Sequence, residues 1–220
     1  TLKFTLVCIP LMVALGLVIA LAMGSIRHMQ TVKSLYLFPL AMPTAAVAVV
    51  WKMVFYEKGF LNKYLEQFGI GGGVDYIGSG AAFYVLAGTY IWKNLGYTIV
   101  LWLAGIMGVN GDMMEAARVD GAGKSKQFFR ITLPLLTPSI FFCLIMSLIN
   151  AFQLFPQVMI MTEGGPNGAT QVMVERIYTY GFKYFKMGYA SAYSWLLFII
   201  IFILTGVQMK LQKGWVHYES

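Results

Sequence analysis

The sequence predicts an all-α membrane protein, a polytopic bundle of transmembrane helices forming one domain over residues 1–220. Three observations carry that expectation. The chain is 59% hydrophobic and only 11% charged, with mean hydropathy +0.70, whereas a soluble domain has about 25% of its residues charged. Five apolar intervals are each long enough to cross the bilayer, which takes about 20 residues at ~1.5 Å each. The one long interval that is both charged and helix-like, Asp112 to Pro134, lies between two of these spans. Lipid would reject it, so it belongs at a membrane face.

The first span runs from Phe4 to Ile26 and starts almost at once after Thr1-Leu2-Lys3, with no initiator Met. It has no small-residue cleavage site and is too long for a signal-peptide core, so further sequence upstream is expected. A short basic loop, Arg27 to Ser34, leads to the second span, Leu35 to Phe55. Pro39 and Pro43 fall inside that span, and each removes a backbone hydrogen bond and bends the helix. The Gly-rich loop Tyr56 to Gly80 contains Phe60, Leu61, Tyr64, Leu65 and Phe68 at helical spacing. That pattern predicts a short helix along the membrane surface, ended by Gly69 to Gly73. The third span is Ala81 to Gly108, the fourth Thr137 to Met161 and the fifth Gly188 to Leu211. Thr162 to Met187 connects the last two, with a turn cluster at Glu163 to Gly168, and the tail is Gln212 to Ser220.

Alternation puts Arg27 to Ser34, the 112 to 134 interval and the tail on one face. That face carries Arg27, Lys33, Arg118, Lys124, Lys126, Arg130, Lys210 and Lys213. The other carries Lys3, Lys52, Lys58, Lys63, Arg176, Lys183 and Lys186. Basic residues so evenly divided orient the chain only weakly. Their place at span ends also accounts for the net charge of +7 without nucleic acid as a partner.

Catalytic constellations are absent. His28 and His217 stand near segment ends, and Cys8 and Cys143 both lie in apolar segments, so neither a metal site nor a disulfide framework is expected. Gly121-Ala122-Gly123-Lys124-Ser125 ends like a phosphate-binding loop, but Arg118 stands where the first glycine belongs and a helix rather than a strand precedes it. Polar groups within spans are more informative, because lipid penalises them unless they face a cavity or a neighbouring helix. Ser147, Asn150, Gln153 and Gln157 recur at helical spacing in the fourth span, an amide-bearing stripe suited to hydroxylated, uncharged ligands. In the third span, Lys93 and Asn94 precede Tyr97 and Thr98 by one turn. A solute pathway and helix-to-helix hydrogen bonding both explain such groups, and Lys93 has the further option of snorkelling.

Within the 112 to 134 interval, Asp112 and Glu115 have the spacing of a capping box. Gly121 is placed to close that helix in a left-handed conformation. A second short helix is expected with Phe128 and Phe129 as its apolar side and Lys124, Lys126 and Arg130 outside. A helix of two turns does not persist alone in water, so a partner protein is expected to hold it.

Glu115-Ala116-Ala117, three residues, Gly121, nine residues, Ile131, one residue and Leu133-Pro134 resembles the EAA loop of permease subunits of binding-protein-dependent ABC importers. Trp92-Lys93-Asn94-Leu95-Gly96-Tyr97, Asp120-Gly121-Ala122-Gly123, Gly164-Gly165-Pro166 and Met187-Gly188-Tyr189-Ala190-Ser191-Ala192 look like the carbohydrate branch, similar to the maltose-type F permease. The resemblance implies a type I importer permease fold with another span upstream, and a cytoplasmic coupling loop over residues 109–136. In that loop Glu115 makes an acid contact, Ala116 and Ala117 pack closely, Gly121 turns the chain, and Asp120, Gly123, Ile131, Leu133 and Pro134 complete the pattern. It further implies two ATPase subunits that bind the ATP, so that this chain has no cofactor and no catalysis of its own. A second homologous permease, an extracytoplasmic solute-binding protein and a sugar would complete the system, in the cytoplasmic membrane with the loop and C-terminus inside. A sugar-like phosphate such as glycerol phosphate is the alternative cargo, for which Lys93 offers the one cation. An ion-coupled secondary transporter would need intramembrane acids, and none of the five spans contains Asp or Glu.

Overall fold

The computed structural model describes residues 1–23, 29–70, 73–109 and 111–215. The expectations placed on Ile26, Arg27, His28, Gly71, Gly72, Asn110, His217 and the rest of the tail beyond Trp215 lie outside them. Among the described residues the structure is helical throughout, with no strand. Leucine, valine, isoleucine and aromatic runs leave the backbone no partner in lipid but itself, and the helix satisfies every peptide within the segment.

Helix α1 (Leu2–Met23) and the 26-residue α5 (Ala82–Met107) form the centre of the bundle, packed along each other. Small residues set their approach. A Cβ on Gly16 would lie 2.6 Å from Thr98 Cγ2, and beside it the Trp102 indole donates to Val13 O at 3.1 Å. Two apolar clusters follow this seam. Phe4, Cys8 and Met12 meet Leu86 and Tyr90 in one, and Ala20 and Met23 meet Ile99 and Trp102 in the other. Helix α12 (Met187–Trp215) runs past the expected end of the fifth span, and almost none of it is covered by the rest of the chain.

The second span is not one bent helix over Leu35 to Phe55. It is two helices, α2 (Met29–Ala41) and α3 (Thr44–Phe55), and the direction of Leu35–Ala41 differs by 106° from that of Thr44–Gln67. Pro43 has no N–H for Pro39 O and its ring opposes helical continuation, so the chain breaks at Met42–Pro43. Helix also begins at Met29, taking in residues expected to be loop. The loop helix is α4 (Phe60–Gln67), closed by Gly69 at φ +68° with Ile70 N–H donating to Leu65 O at 3.0 Å. Its expected apolar side divides. Phe60, Tyr64 and Phe68 form an exposed aromatic row, while Asn62, 1% exposed, donates to Tyr56 O, Glu57 O and Val74 O and ties the loop shut.

The charged interval forms α6 (Gly111–Val119), α7 (Lys124–Gln127), a π-helical turn over Phe128–Thr132 and α8 (Leu133–Leu135). The fourth span is α9 (Thr137–Phe152) followed by α10 (Pro156–Met161). Beyond it come α11 (Met173–Tyr178) and a second π-helical turn over Thr179–Lys183. The turn cluster Glu163 to Gly168 is compact, with positive φ at Glu163, Gly164, Asn167 and Gly168. Thr1 reaches this end of the molecule, its hydroxyl accepting from Met173 N–H at 2.9 Å. Thr1 and the segment after the fourth span therefore share one end of the bundle.

Candidate functional site

A cavity of about 430 Å³ opens where the two broken spans face the middle of α5. Leu40 and Thr44 border it from the α2–α3 break. Tyr90, Lys93, Asn94 and Tyr97 line it from α5, at spacings of three, one and three that put them on one helical face. Met146, Asn150, Gln153, Leu154, Pro156 and Gln157 line it from the α9–α10 break. Five of the six pathway residues expected from sequence thus meet around one space: Lys93, Asn94, Asn150, Gln153 and Gln157.

The fourth-span stripe does not survive as one helical face. Pro156 has no N–H for Phe152 O, so the helix stops at Phe152 and restarts at Pro156, with Phe155 at φ −138°, ψ −60°. Residues on either side of a break no longer keep a common angular phase. Asn150 and Gln153 remain exposed to the cavity and Gln157 is carried to its floor, 1% exposed. Ser147, one turn earlier, faces the core instead, with its Oγ 3.9 Å from Cys143 Sγ. Thr98 likewise belongs to the α1 seam and not to the cavity. Tyr90 escaped the sequence reading, although its place one turn before Asn94 on the Lys93 face is the signal that finds it.

Lys93 apart, the chemistry of the lining is that of neutral hydrogen bonding. Four carboxamides and two phenols supply donors and acceptors, and no carboxylate lines the space. The Asn94 amide donates to Tyr90 O at 2.8 Å. Tyr90 Oη and Gln157 Nε2 are buried without a protein partner. A buried polar atom left unmade costs about 1–3 kcal/mol, and neither atom has surface open to the cavity in this conformation.

Lys93 is 6% exposed and does not snorkel. Its Nζ donates to Met42 O at 2.9 Å, Pro39 O at 3.2 Å and Leu40 O at 3.5 Å. An ammonium has three donors, and three carbonyls at the end of α2 lie within their reach.

The second expected site lies at one end of the bundle. None of α6 is buried. Glu115 and Ala116 are exposed, Ala117 is half-buried, and Val119 is 88% exposed. Gly121 has φ +75°, and the closing bonds run from Gly121 N–H to Arg118 O at 3.0 Å and from Ala122 N–H to Ala117 O at 2.9 Å. The left-handed stop expected there is present. The helix start differs from the one expected. Helix begins at Gly111, which puts Asp112 inside the first turn, where its charge still favours the helix dipole. The apolar side of the second helix also differs. Phe129 is 66% exposed and Phe128 half-buried, while Gln127 turns inward and donates to Ala122 O at 2.6 Å. The π-helical turn that starts at Phe128 winds more widely than an α-helix and shifts the phase of the side chains after it. Asp120 and Gly123 are exposed, and Ile131, Leu133 and Pro134 are half-buried where the loop returns to the bundle.

Residues 12–216 match the family model described as "Binding-protein-dependent transport system inner membrane component". The probable ABC transporter permease protein YesP of Bacillus subtilis (strain 168) is 34% identical over 225 residues, covering 100% of this chain and 72% of that protein. The sn-glycerol-3-phosphate transport system permease protein UgpA of Escherichia coli O6:K15:H31 (strain 536 / UPEC) is 32% identical over 196 residues, which is 88% of this chain and 66% of UgpA. The chain thus spans about two thirds of that relative's length. In a crystal structure of a bacterial alginate ABC transporter in complex with alginate pentasaccharide-bound periplasmic protein, one chain superposes with a TM-score of 0.83 at 21% identity. The match covers 96% of this chain and 76% of that one, and it shows a shared fold.

Proposed function

The chain belongs to the family of binding-protein-dependent transport system inner membrane components, and from that premise we propose that it is a permease subunit of an ATP-driven importer that carries a sugar or oligosaccharide. The observation that carries the cargo is the cavity between the broken spans, lined by Tyr90, Asn94, Tyr97, Asn150, Gln153 and Gln157. Groups that both donate and accept, without charge, match the hydroxyls of a carbohydrate. Discontinuous helices at the depth of a solute site are a recurring transporter device, because freed backbone is tolerated only where it lines a cavity or is buried in protein.

The remaining machine is read from the family and from α6. One of two ATPase subunits, which bind the ATP, receives the exposed α6 in a cleft, with Glu115 as its charged contact, Ala116 and Ala117 as its close-packing surface and Gly121 as its stop. A second, homologous permease shares the pathway, and a solute-binding protein delivers cargo from outside. The coupling loop and the C-terminal end of α12 then face the cytoplasm. Thr1 and the segment from Thr162 to Met187 face outward, in keeping with their shared end of the bundle. ATP-driven closure moves the bundle between inward- and outward-facing states. A phosphate cargo is disfavoured because the ammonium of Lys93 is spent on backbone carbonyls.

The test is uptake by the assembled transporter carrying Asn150→Leu or Gln153→Leu. Each loses a hydrogen bond to solute worth ~1 kcal/mol or more, and uptake at low sugar concentration falls roughly five- to tenfold. The thermal midpoint stays within about 2 °C, because both side chains face open space. Unchanged uptake with a lowered midpoint would assign them to holding helices together.

A further inference from the structure

A buried lysine in a membrane span needs a physical explanation, and here the explanation lies on a different helix. The last turn of any helix leaves carbonyls without intrahelical partners. At the end of α2 the deficit is enforced by sequence, because the partner of Pro39 O would be the N–H of residue 43, which is proline. Met42 N–H reaches Pro39 O only at 3.3 Å. Lys93 comes from α5 to meet that carbonyl together with those of Leu40 and Met42, and places a positive charge at the negative end of the helix. One turn along α5, Gly96 lets the α2 backbone sit directly on the α5 axis, since a Cβ there would collide with Tyr36 O. Lys93 and Gly96 together seat α2 on α5. The break they hold open supplies Leu40 and Thr44 to the cavity wall.

We propose that Lys93 is a positioning residue that clasps the open end of α2, keeps the second span broken at Met42–Pro43 and so shapes the cavity without touching the solute. The cavity then presents only neutral groups to its cargo, although a cation stands in its wall. The proposal rests on the cavity being the solute site, as argued above. Its structural half is independent of any solute.

The experiment is a double-mutant cycle between Lys93 and Pro43 in the intact transporter, purified with its partner subunits. Pro43→Ala returns an N–H to the position that helical geometry assigns to Pro39 O, which removes part of the need for the clasp. Lys93→Met is expected to lower the thermal midpoint clearly in the wild-type background and far less in the Pro43→Ala background, because contacting partners are not additive. Uptake by Lys93→Met falls roughly tenfold in maximal rate with KM for a neutral oligosaccharide unchanged, the pattern of a lost positioning group rather than a lost ligand. Lys93→Arg, which keeps the charge and donors, recovers most of both. If Lys93→Met does not assemble, Lys93→Gln and Lys93→Arg are measured in both backgrounds instead. Equal midpoint losses in the two backgrounds would overturn the clasp. A rise in KM at unchanged stability would overturn it as well, by making Lys93 a solute ligand. If Asn150→Leu and Gln153→Leu leave uptake untouched while the cycle is non-additive, the solute-site reading fails and the clasp stands.

Discussion

Gly121 ends α6 at φ +75°, and a Cβ built there meets nothing within 4 Å. Its requirement is therefore conformational and not steric. A left-handed backbone costs an ordinary L-residue about 1–2 kcal/mol, while Asn enters that region through local hydrogen bonding. Gly121→Val is expected to lower the thermal midpoint of the purified transporter and Gly121→Asn to leave it nearly unchanged. Equal effects of the two would mean that the position tolerates another backbone geometry. This residue was legible because a left-handed stop depends on local sequence alone. For Lys93 a helix-to-helix hydrogen bond was legible as one alternative, but its partners were not, since they lie more than fifty residues away and proline alone does not say which donor will meet the carbonyl it frees. Gln157 lay between. Its type was a clear signal in an apolar span, but its burial depends on the break before it.

At the scale of elements, the spans themselves were readable, because apolar length and the needs of the backbone leave few alternatives in lipid. The third span was read to within a residue of α5 at each end. Interruptions were read less well. Pro39 and Pro43 were seen as bends, yet the 106° change of direction depends on the Lys93 clasp and the seat at Gly96, which are tertiary. Pro156 was overlooked as a breaker although its position inside the fourth span announced it, and the consequence was the false continuation of one helical face to Gln157; Ser147 lies before the break and turns to the core within α9 itself. The Gly96 seat gives a test with an internal control. Gly96→Ala drives a methyl into Tyr36 O, a backbone atom that moves only if α2 moves, whereas a Cβ on Gly88 in the same helix meets nothing within 4 Å. Gly96→Ala should cost about 1–3 kcal/mol as overpacking does, and Gly88→Ala should be neutral or slightly stabilising through helix propensity. Thermal unfolding of the two variants side by side decides it, and similar midpoints would show that α2 shifts freely on α5.

At the scale of the whole molecule, the chain leaves two large surfaces uncovered by its own residues. Helix α12 exposes Trp195, Phe198, Phe202 and Ile203 along an apolar length that suits lipid or another membrane helix. Helix α6 exposes both Glu115 and apolar Val119 at the end of the bundle opposite Thr1. A nine-residue helix with nothing buried gains little from its own chain, and so short a helix is marginal in water. The ATPase contact proposed for α6 would supply the missing cover. Along the chain, α6 leads through its glycine stop, the Gln127–Ala122 hydrogen bond and α7–α8 into α9, which ends at the break bordering the cavity. Glu115→Lys reverses the charge at the centre of that contact. Uptake should fall about tenfold or more, the factor of a lost charge-assisted hydrogen bond of ~1.5–3 kcal/mol, while the permease remains in the membrane at normal abundance. Adding Asn150→Leu should then lower uptake further by its own factor, because the two sites are distant and share no partner. Wild-type uptake in Glu115→Lys would remove α6 as the element that receives the ATPase stroke, and loss of the permease from the membrane would move Glu115 from coupling to folding.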